Sequence, residues 1–222
     1  MMSEQTPGLA ARTVRVRPGV LVAFAAVAGL RDVPPAGADA RASRDLPDWR
    51  RAEFLAARAL LRRLLADYVD RAGPAAAGSP ILARPSGQPY LQGHPELSIS
   101  LSHDAGQVAA ALGLGLSVGV DVQVPVPAPA ALLRRCCRPP VRATLATLPA
   151  ADRDHEFAWI WTVQESCVKA TGQGIAGRPW TVPVLPGARA GRWHGYRWFS
   201  LREHSAVPVS VAFGAPPADG SR

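Results

Sequence analysis

Two short segments place side-chain oxygens in spacings suited to binding a hard metal ion, and the second segment also carries an ammonium group. In the first, Asp121 and Gln123 stand two residues apart, so an extended strand would direct both toward one face. In the second, Glu165 and Lys169 stand four residues apart, which brings them to one side of a helix. Mg²⁺ takes oxygen ligands and is commonly held by one or two carboxylates together with substrate phosphates. Asp121, Gln123 and Glu165 therefore form a candidate metal-binding set.

Each pair also has a purely structural interpretation. Asp121 would then be a solvated residue on the polar face of a strand. A Glu–Lys pair four residues apart would be an ordinary surface contact of a helix, contributing roughly 0.2–0.5 kcal/mol. Against this second interpretation, Lys169 is the single lysine among 25 basic residues. One lysine in an otherwise arginine-only set indicates a site that needs a compact ammonium rather than a planar guanidinium.

Upstream basic residues add candidate phosphate ligands. Arg51, Arg58 and Arg62 fall within a narrow arc of a predicted helix, so they form either a phosphate-binding stripe or a solvated face. His103, which follows Ser102 at the end of a predicted strand, is either a loop histidine or a phosphate donor. The residues by themselves leave both alternatives open.

A third motif surrounds Ser117. The segment Gly115-Leu-Ser117-Val-Gly119 matches the pattern of the serine hydrolase nucleophile, which must sit on a sharp turn between a strand and a helix. Here an alternating segment follows the serine, so Ser117 is predicted to lie inside a strand. A serine hydrolase using Ser117 is retained as the less favoured alternative.

The candidate residues lie on elements that the apolar pattern predicts. Valines alternate with other residues from Ser117 to Val124, as in a half-buried strand. The segment from Glu156 to Thr171 is predicted as a helix that ends at Gly172. Another helix is predicted over Asp48–Arg71, with Phe54, Leu61, Leu65 and Tyr68 on its apolar face. Further strands are predicted within 13–27, 97–101, 108–114, 193–201 and 207–213, and weak helix broken by prolines within 130–148.

This order of elements predicts an α+β fold. Strand and helix segments occur on both sides of residue 118, which indicates two similar lobes, 12–117 and 118–214. The polar ends, 1–11 and 215–222, are predicted to be flexible tails. The segment 32–47 is predicted to be a loop.

Composition limits the class of protein. The 222 residues are 48% hydrophobic and 19% charged, which is typical of a globular protein. The net charge is +8, but Ala, Gly, Pro and Arg make up nearly half of the chain, as a GC-rich coding sequence would produce. Part of the arginine excess therefore reflects codon bias, and an Arg-rich nucleic-acid-binding module is only an alternative.

Two further features bear on localisation. The longest apolar stretch, 20–30, is about half the length of roughly 20 residues that spans a membrane. The three cysteines provide neither a disulfide framework nor the paired spacing of a zinc site. We therefore expect a cytoplasmic protein that does not contact a membrane.

Taken in order, four segments of the chain resemble the 4′-phosphopantetheinyl transferases of the Sfp type. The landmarks of that family are a Gly-Lys-Pro segment, a Leu-Ser-His turn, a Val-Gly-Val/Ile-Asp-Val/Ile-Glu strand and a Trp-Ser/Thr-x-Lys-Glu-Ser/Ala-x-x-Lys helix. The corresponding segments here are Gly87-Gln88-Pro89, Leu101-Ser102-His103, Val118-Gly-Val-Asp121-Val-Gln123 and Trp161-Thr-Val-Gln164-Glu165-Ser-Cys-Val-Lys169.

The resemblance implies a fold and a reaction. The family fold is a pseudo-twofold pair of α/β lobes with the active site in the cleft between them. The implied reaction transfers the 4′-phosphopantetheine group of coenzyme A to a serine of an acyl or peptidyl carrier protein, with Mg²⁺ as cofactor and 3′,5′-ADP as the leaving group. Such enzymes serve polyketide or nonribosomal peptide biosynthesis, and we expect a monomer whose basic surface attracts an acidic carrier protein.

The resemblance also implies roles for individual residues. Asp121, Gln123 and Glu165 would bind Mg²⁺ beside the pyrophosphate. Glu165 would also act as the general base, and Lys169 would neutralise charge on the reacting phosphate. The residues implied to contact coenzyme A phosphates are Arg58, Gln88, Ser102, His103, Gln164 and Lys169.

Three positions depart from the family pattern. Gln123 replaces the second acidic residue of the strand motif, and Gln88 and Gln164 replace lysines. A glutamine oxygen can still ligate a cation directly or through water. We therefore expect altered metal and phosphate affinity rather than loss of the site.

Overall fold

The computed structural model describes residues 11–67 and 75–216, and these form a mixed helix and sheet (α+β) fold, as predicted. The strands are β1 (Arg12–Arg17), β2 (Val20–Ala26), β3 (Ile81–Ala83), β4 (Pro89–Leu91), β5 (Leu97–Asp104), β6 (Gln107–Leu114), β7 (Ser117–Val122), β8 (Ala190–Trp193), β9 (Tyr196–Ser200) and β10 (Val209–Gly214). The α-helices are α1 (Gly37–Ala42), α2 (Asp48–Asp67), α3 (Ala75–Gly78), α4 (Ala130–Cys136), α5 (Pro139–Ala146) and α6 (Ala150–Thr171).

The first sheet has six antiparallel strands in the order β1-β2-β6-β5-β4-β3. Helix α2 packs on it, because leucines at 60, 61, 64 and 65 recur at helical spacing and form one fully buried face. These leucines contact the apolar side chains of β5 and β6, so the helix is held against the strands that carry Ser102 and His103.

The second sheet has four antiparallel strands in the order β7-β10-β9-β8. Helix α6 covers one of its faces. On the other face, Val118 and Val120 of β7 pack against Val20 and Val22 of the first sheet. The two sheets therefore share one apolar interface.

Side chains of the first sheet also cover the free edge of the second. Because β7 is an edge strand, the N–H groups on its outer side have no neighbouring strand to bond. Side chains two residues apart along β5 accept these N–H groups at 2.7–3.3 Å. The four pairs, acceptor first, are Ser98 with Val118, Ser100 with Val120, Ser102 with Val122, and Asp104 with Val124.

Most predicted elements are confirmed, with corrections to their extent. The helix predicted from Glu156 begins at Ala150. The weak helix predicted within 130–148 is interrupted between α4 and α5, and Pro139 is the first residue of α5. The predicted loop 32–47 contains α1, and the β3–β4 hairpin was not predicted. The segment 117–122 is buried on both faces rather than half-buried, since α6 lies over its second face.

Some predictions fall outside the described residues. These include Tyr68 on the apolar face of the helix predicted over Asp48–Arg71, the end of that predicted helix at Arg71, and both tails except for Ala11, Ala215 and Pro216. Within the described ranges, no helix is long and apolar enough to cross a membrane.

Candidate functional site

Along the C-terminal part of α6, a single row of side chains remains partly open to solvent. Between Phe157 and Ala170 every side chain of this helix is buried except those of Trp161, Glu165 and Lys169. Their spacing of four residues aligns them along one line of the helix. Within this part of α6, a ligand can therefore reach only these three side chains.

Gly119 allows this helix to lie directly on β7. A Cβ atom at this position would overlap the backbone carbonyl of Ser166 and the backbone amide of Ala170. Only glycine permits such an approach of helix to strand. Asp121, two residues further on the same face, is thereby brought within reach of Lys169.

Lys169, Asp121 and Ser102 form one hydrogen-bonded cluster. Lys169 Nζ lies 2.6 Å from Asp121 Oδ1, 3.0 Å from Ser102 Oγ and 3.2 Å from the carbonyl oxygen of Val120. The Ser102 hydroxyl donates to Asp121 Oδ1 at 2.7 Å. Asp121 is buried, and Lys169 pairs with it rather than with Glu165. Both structural interpretations, a solvated Asp121 and a surface Glu165–Lys169 pair, are therefore wrong.

Glu165 lies next to this cluster with an unsatisfied oxygen. Within the described residues, its Oε1 atom is buried and has no hydrogen-bond partner. Burial raises the pKa of this carboxyl group, the negative charge of Asp121 raises it further, and Lys169 opposes both effects. A carboxylate oxygen that is buried beside a second carboxylate needs a positive partner.

The donor set fits a hard cation. The carboxylates of Asp121 and Glu165 are neighbours, the Oε1 atom of Glu165 lacks a partner, and oxygen is the ligand that Mg²⁺ requires. No group of three or more His, Cys, Asp or Glu side chains suited to a metal occurs in the described ranges. Two carboxylates are nevertheless sufficient where substrate phosphates supply further oxygens.

Gln123 is held by a residue that the sequence analysis did not identify. Its Nε2 donates to Asp104 Oδ2 at 2.7 Å, and the same oxygen accepts the N–H of Val124 at 2.7 Å. Asp104 is the last side chain of the row on β5 that covers the edge of β7. Its position one residue after the Leu-Ser-His segment was the available signal.

His103 is also oriented by a carboxylate. Its Nδ1 lies 3.0 Å from Glu53 Oε2, while Glu53 Oε1 accepts the N–H of Gly106 at 2.8 Å. The other ring nitrogen, Nε2, makes no hydrogen bond within the described part of the chain and the side chain is partly exposed. Glu53 therefore leaves His103 available to a ligand through Nε2.

The arginine stripe of α2 has an internal role instead. Arg58 Nη1 and Arg62 Nε bind the two oxygens of Asp39 at 3.0 and 2.6 Å. Arg58 also donates to the carbonyl of Ile81, and its guanidinium lies over the ring of Phe54. Burial lowers the pKa of Arg58, and Asp39 partly compensates. The Arg58 side chain is only 11% exposed, so we remove it from the candidate phosphate ligands.

Arg51 resembles its neighbours in this respect. It donates to the carbonyl oxygens of Ser43, Arg44 and Leu46 and so fastens the segment between α1 and α2. All three guanidinium groups therefore bind the chain itself, although the Arg51 side chain remains 40% exposed.

The two other glutamines differ from each other. Gln164 is fully buried, and its Nε2 donates to the carbonyls of Cys136 and Val182 inside the second core. It therefore points away from the exposed row of α6, which corrects its assignment to coenzyme A. Gln88 is half-buried at the C-terminal end of α6, where a Cβ atom on Gly172 would be 2.7 Å from its Oε1.

A cavity of about 100 Å³ lies beside Gln123. Its walls are mostly apolar: Phe157 and Trp161 of α6 form one side, and residues of the proline-containing segment 124–129 form another. Gln123 and Asp154 also line it. Trp161 stands one helical turn before Glu165 on α6, whereas neither Asp121 nor Glu165 lines the cavity.

Ser117 lacks the setting of a hydrolase nucleophile. It lies inside β7, pairs with Gly214 of β10, and is followed by further strand rather than by a helix. The strand-to-helix turn that exposes such a serine is absent at this position.

Comparison with known proteins identifies part of the chain. Residues 117–217 match the model of the 4′-phosphopantetheinyl transferase superfamily. This part of the chain, which carries β7 and α6, therefore matches a domain of that superfamily, and the match supports a transferase of this type. No curated protein matches the chain. The match supports the superfamily predicted from the motifs over residues 117–217, and the Sfp type remains a prediction.

Proposed function

We propose that the protein transfers the 4′-phosphopantetheine group of coenzyme A to a serine of an acyl or peptidyl carrier protein and releases 3′,5′-ADP. The observation that carries this proposal is the unsatisfied Oε1 of Glu165 beside Asp121 and Lys169. The superfamily match of the segment that contains all three residues supports it.

Asp121 and Glu165, with the amide oxygen of Gln123, are the residues that would hold Mg²⁺. When bound, the ion supplies positive charge that offsets negative charge on the pyrophosphate. Without it, the ammonium of Lys169 is the positive group nearest to Asp121.

The chain supplies the proton acceptor and a phosphate contact. Glu165 would accept the hydroxyl proton of the carrier serine. The serine oxygen then bonds to the β-phosphorus of coenzyme A, and the bond between that phosphorus and the oxygen of the departing 3′,5′-ADP breaks. Positioned general bases contribute roughly 10²–10⁴-fold. Lys169, whose side chain is 28% exposed, would place its ammonium against the reacting phosphate.

The remaining substrate contacts are proposed from position. His103 and Ser102, at the end of β5, would bind coenzyme A phosphates, with Gln88 at the end of α6. The apolar cavity next to Trp161 would accept part of the pantetheine arm. Arg58 and Gln164 are not included, because their polar groups bind the interior.

The arrangement of the halves is consistent with the family fold. Each half has an antiparallel sheet covered by one long helix, α2 in the first and α6 in the second. We propose that these are the pseudo-twofold lobes, 12–117 and 118–214, and that coenzyme A binds between them.

The test is transfer to a carrier protein measured by mass spectrometry. Incubation with coenzyme A, Mg²⁺ and an apo carrier protein should increase the carrier mass by one phosphopantetheine group, and chelation should stop the reaction. Ser98→Ala, which removes an edge contact far along β5 from Ser102, serves as the control variant. An unmodified carrier, together with metal-independent and salt-sensitive binding of DNA, would instead favour the nucleic-acid-binding alternative.

A further inference from the structure

Asp104 makes two short hydrogen bonds at the end of β5. Its Oδ2 atom accepts the N–H of Val124 and the Nε2–H of Gln123, each at 2.7 Å. Gln123 Nε2 also lies 3.3 Å from the carbonyl oxygen of Val124. The amide nitrogen of Gln123 is therefore bound to acceptors on one side.

An ionised carboxylate accepts hydrogen bonds and donates none. Gln123 can therefore face Asp104 only with its NH₂ group, and a flip of the amide would set two oxygens against each other. The Oε1 atom of Gln123 must then point away from Asp104. Within the described residues this oxygen has no hydrogen-bond partner.

Gln123 and Asp121 lie on the same side of β7. The backbone N–H of Gln123 bonds to the carbonyl of Pro208, so the extended pairing with β10 continues past Val122. The side chain of Asp121 contacts Ser102, and that of Gln123 contacts Asp104, two residues further along β5. The free amide oxygen is therefore on the face that carries the Asp121 carboxylate.

We propose that Asp104 is a positioning residue that orients the Gln123 amide so that its oxygen faces the cation held by Asp121 and Glu165. Asp104 also restores to this edge the negative charge that a glutamine at 123 removes. The second acidic residue of the strand motif is thus replaced by the amide of Gln123, and the carboxylate of Asp104 lies next to that amide. This inference rests on the proposed metal-dependent function.

Two substitutions separate orientation from simple structural support. In Asp104→Asn the side chain still has an oxygen for the N–H of Val124, but its NH₂ group can also donate to Gln123 and turn the amide around. In Asp104→Asn combined with Gln123→Glu, the two oxygens of residue 123 are equivalent, so orientation no longer matters. Gln123→Glu alone places the new carboxylate at hydrogen-bonding distance from that of Asp104, so the two negative charges repel each other.

The experiment titrates Mn²⁺ into each purified variant, first without and then with coenzyme A and always without carrier protein, following free Mn²⁺ by electron paramagnetic resonance. Asp104→Asn should bind Mn²⁺ about tenfold more weakly than wild type, the size typical of a lost partner behind a metal ligand. The double variant should return to wild-type affinity or better. Ser98→Ala, which removes another edge contact of β7, should bind as wild type does.

A second readout needs no metal. In chelator, Gln123→Glu should unfold at a lower temperature than wild type, and adding Asp104→Asn should restore the unfolding temperature. Unchanged Mn²⁺ affinity in Asp104→Asn, or a double variant as weak as Asp104→Asn, overturns this inference while the proposed function stands. No Mn²⁺ binding by wild type in the presence of coenzyme A overturns the proposed metal site itself.

Discussion

The ammonium of Lys169 lies 2.6 Å from Oδ1 of Asp121, and the two residues stand 48 positions apart. The same nitrogen reaches Ser102 Oγ and the carbonyl oxygen of Val120. Three acceptors from β5 and β7 therefore converge on one nitrogen of α6. This convergence joins the two sheets at the candidate active site.

Lys169→Arg is expected to impair transfer although the charge is kept. Three acceptors around one point suit the three donors of an ammonium, whereas a guanidinium is planar and larger. Loss of one preorganised charge contact costs about 10²-fold in turnover. Steady-state transfer to carrier protein would be measured, with exposed Arg63→Lys as the control; wild-type turnover in Lys169→Arg would contradict the assignment.

Asp121→Asn is expected to stop transfer while preserving the fold. The amide keeps an oxygen for Ser102 and Lys169 but loses the charge that attracts a cation. Asp121→Ala is a poorer test, because it leaves the Lys169 ammonium without its counter-ion. Its cost should be below the roughly 3–5 kcal/mol of a fully buried pair, since the Lys169 side chain is 28% exposed. Circular dichroism and mass spectrometry of the carrier would check both expectations.

Gly119→Ala is expected to destabilise the protein and displace α6. The added methyl group would meet helix backbone, which cannot turn aside as a side chain can. Overpacking of this kind typically costs about 1–3 kcal/mol. Urea unfolding measures the change, and Gly78→Ala, where a Cβ would meet nothing within 4 Å, is the matched control.

Glu165 predicts a pH dependence of stability. Burial, followed by the charge of Asp121, raises its pKa above the ordinary 4.5 in the folded state. The folded protein then holds this proton more tightly than the unfolded chain, so ionisation of Glu165 lowers stability as the pH rises above 4.5. In chelator, Glu165→Gln should therefore unfold at a higher temperature than wild type at about pH 7, and this difference should vanish toward about pH 4.

Mg²⁺ supplies the check on that prediction. With coenzyme A present, the ion should raise the unfolding temperature of wild type and leave Glu165→Gln nearly unchanged. If wild type in chelator at neutral pH unfolds at a higher temperature than Glu165→Gln, the unfavourable environment assigned to the ionised Glu165 is contradicted.

Thiol reagents are expected to leave transfer unaffected. The three cysteines are buried and free, and burial raises the pKa of Cys136 to about 11 and that of Cys137 to about 12. Thiolate, the reactive form, is therefore scarce at neutral pH. Iodoacetamide should label the native protein slowly and all three cysteines after denaturation. Rapid native labelling with loss of transfer would contradict this expectation.

The sequence by itself determined the elements that carry Asp121, Glu165 and Lys169. Alternating valines define β7, and the glycine at 172, in the left-handed conformation at the end of α6, marks where that helix stops. Such signals are local, because side-chain periodicity follows from backbone geometry within a few residues. The motif spacing along these elements therefore sufficed to select the candidate metal ligands and their superfamily.

Only the tertiary structure decided which partner each side chain meets. Lys169 joins Ser102 across 67 residues, and Arg58 is bound by Asp39 rather than left for phosphate. Asp104 was unremarkable in the sequence, because its importance comes from lying beside Gln123 on another strand. Hydrogen bonds between distant segments depend on how the sheets and α6 pack, and no periodicity within one segment encodes that packing.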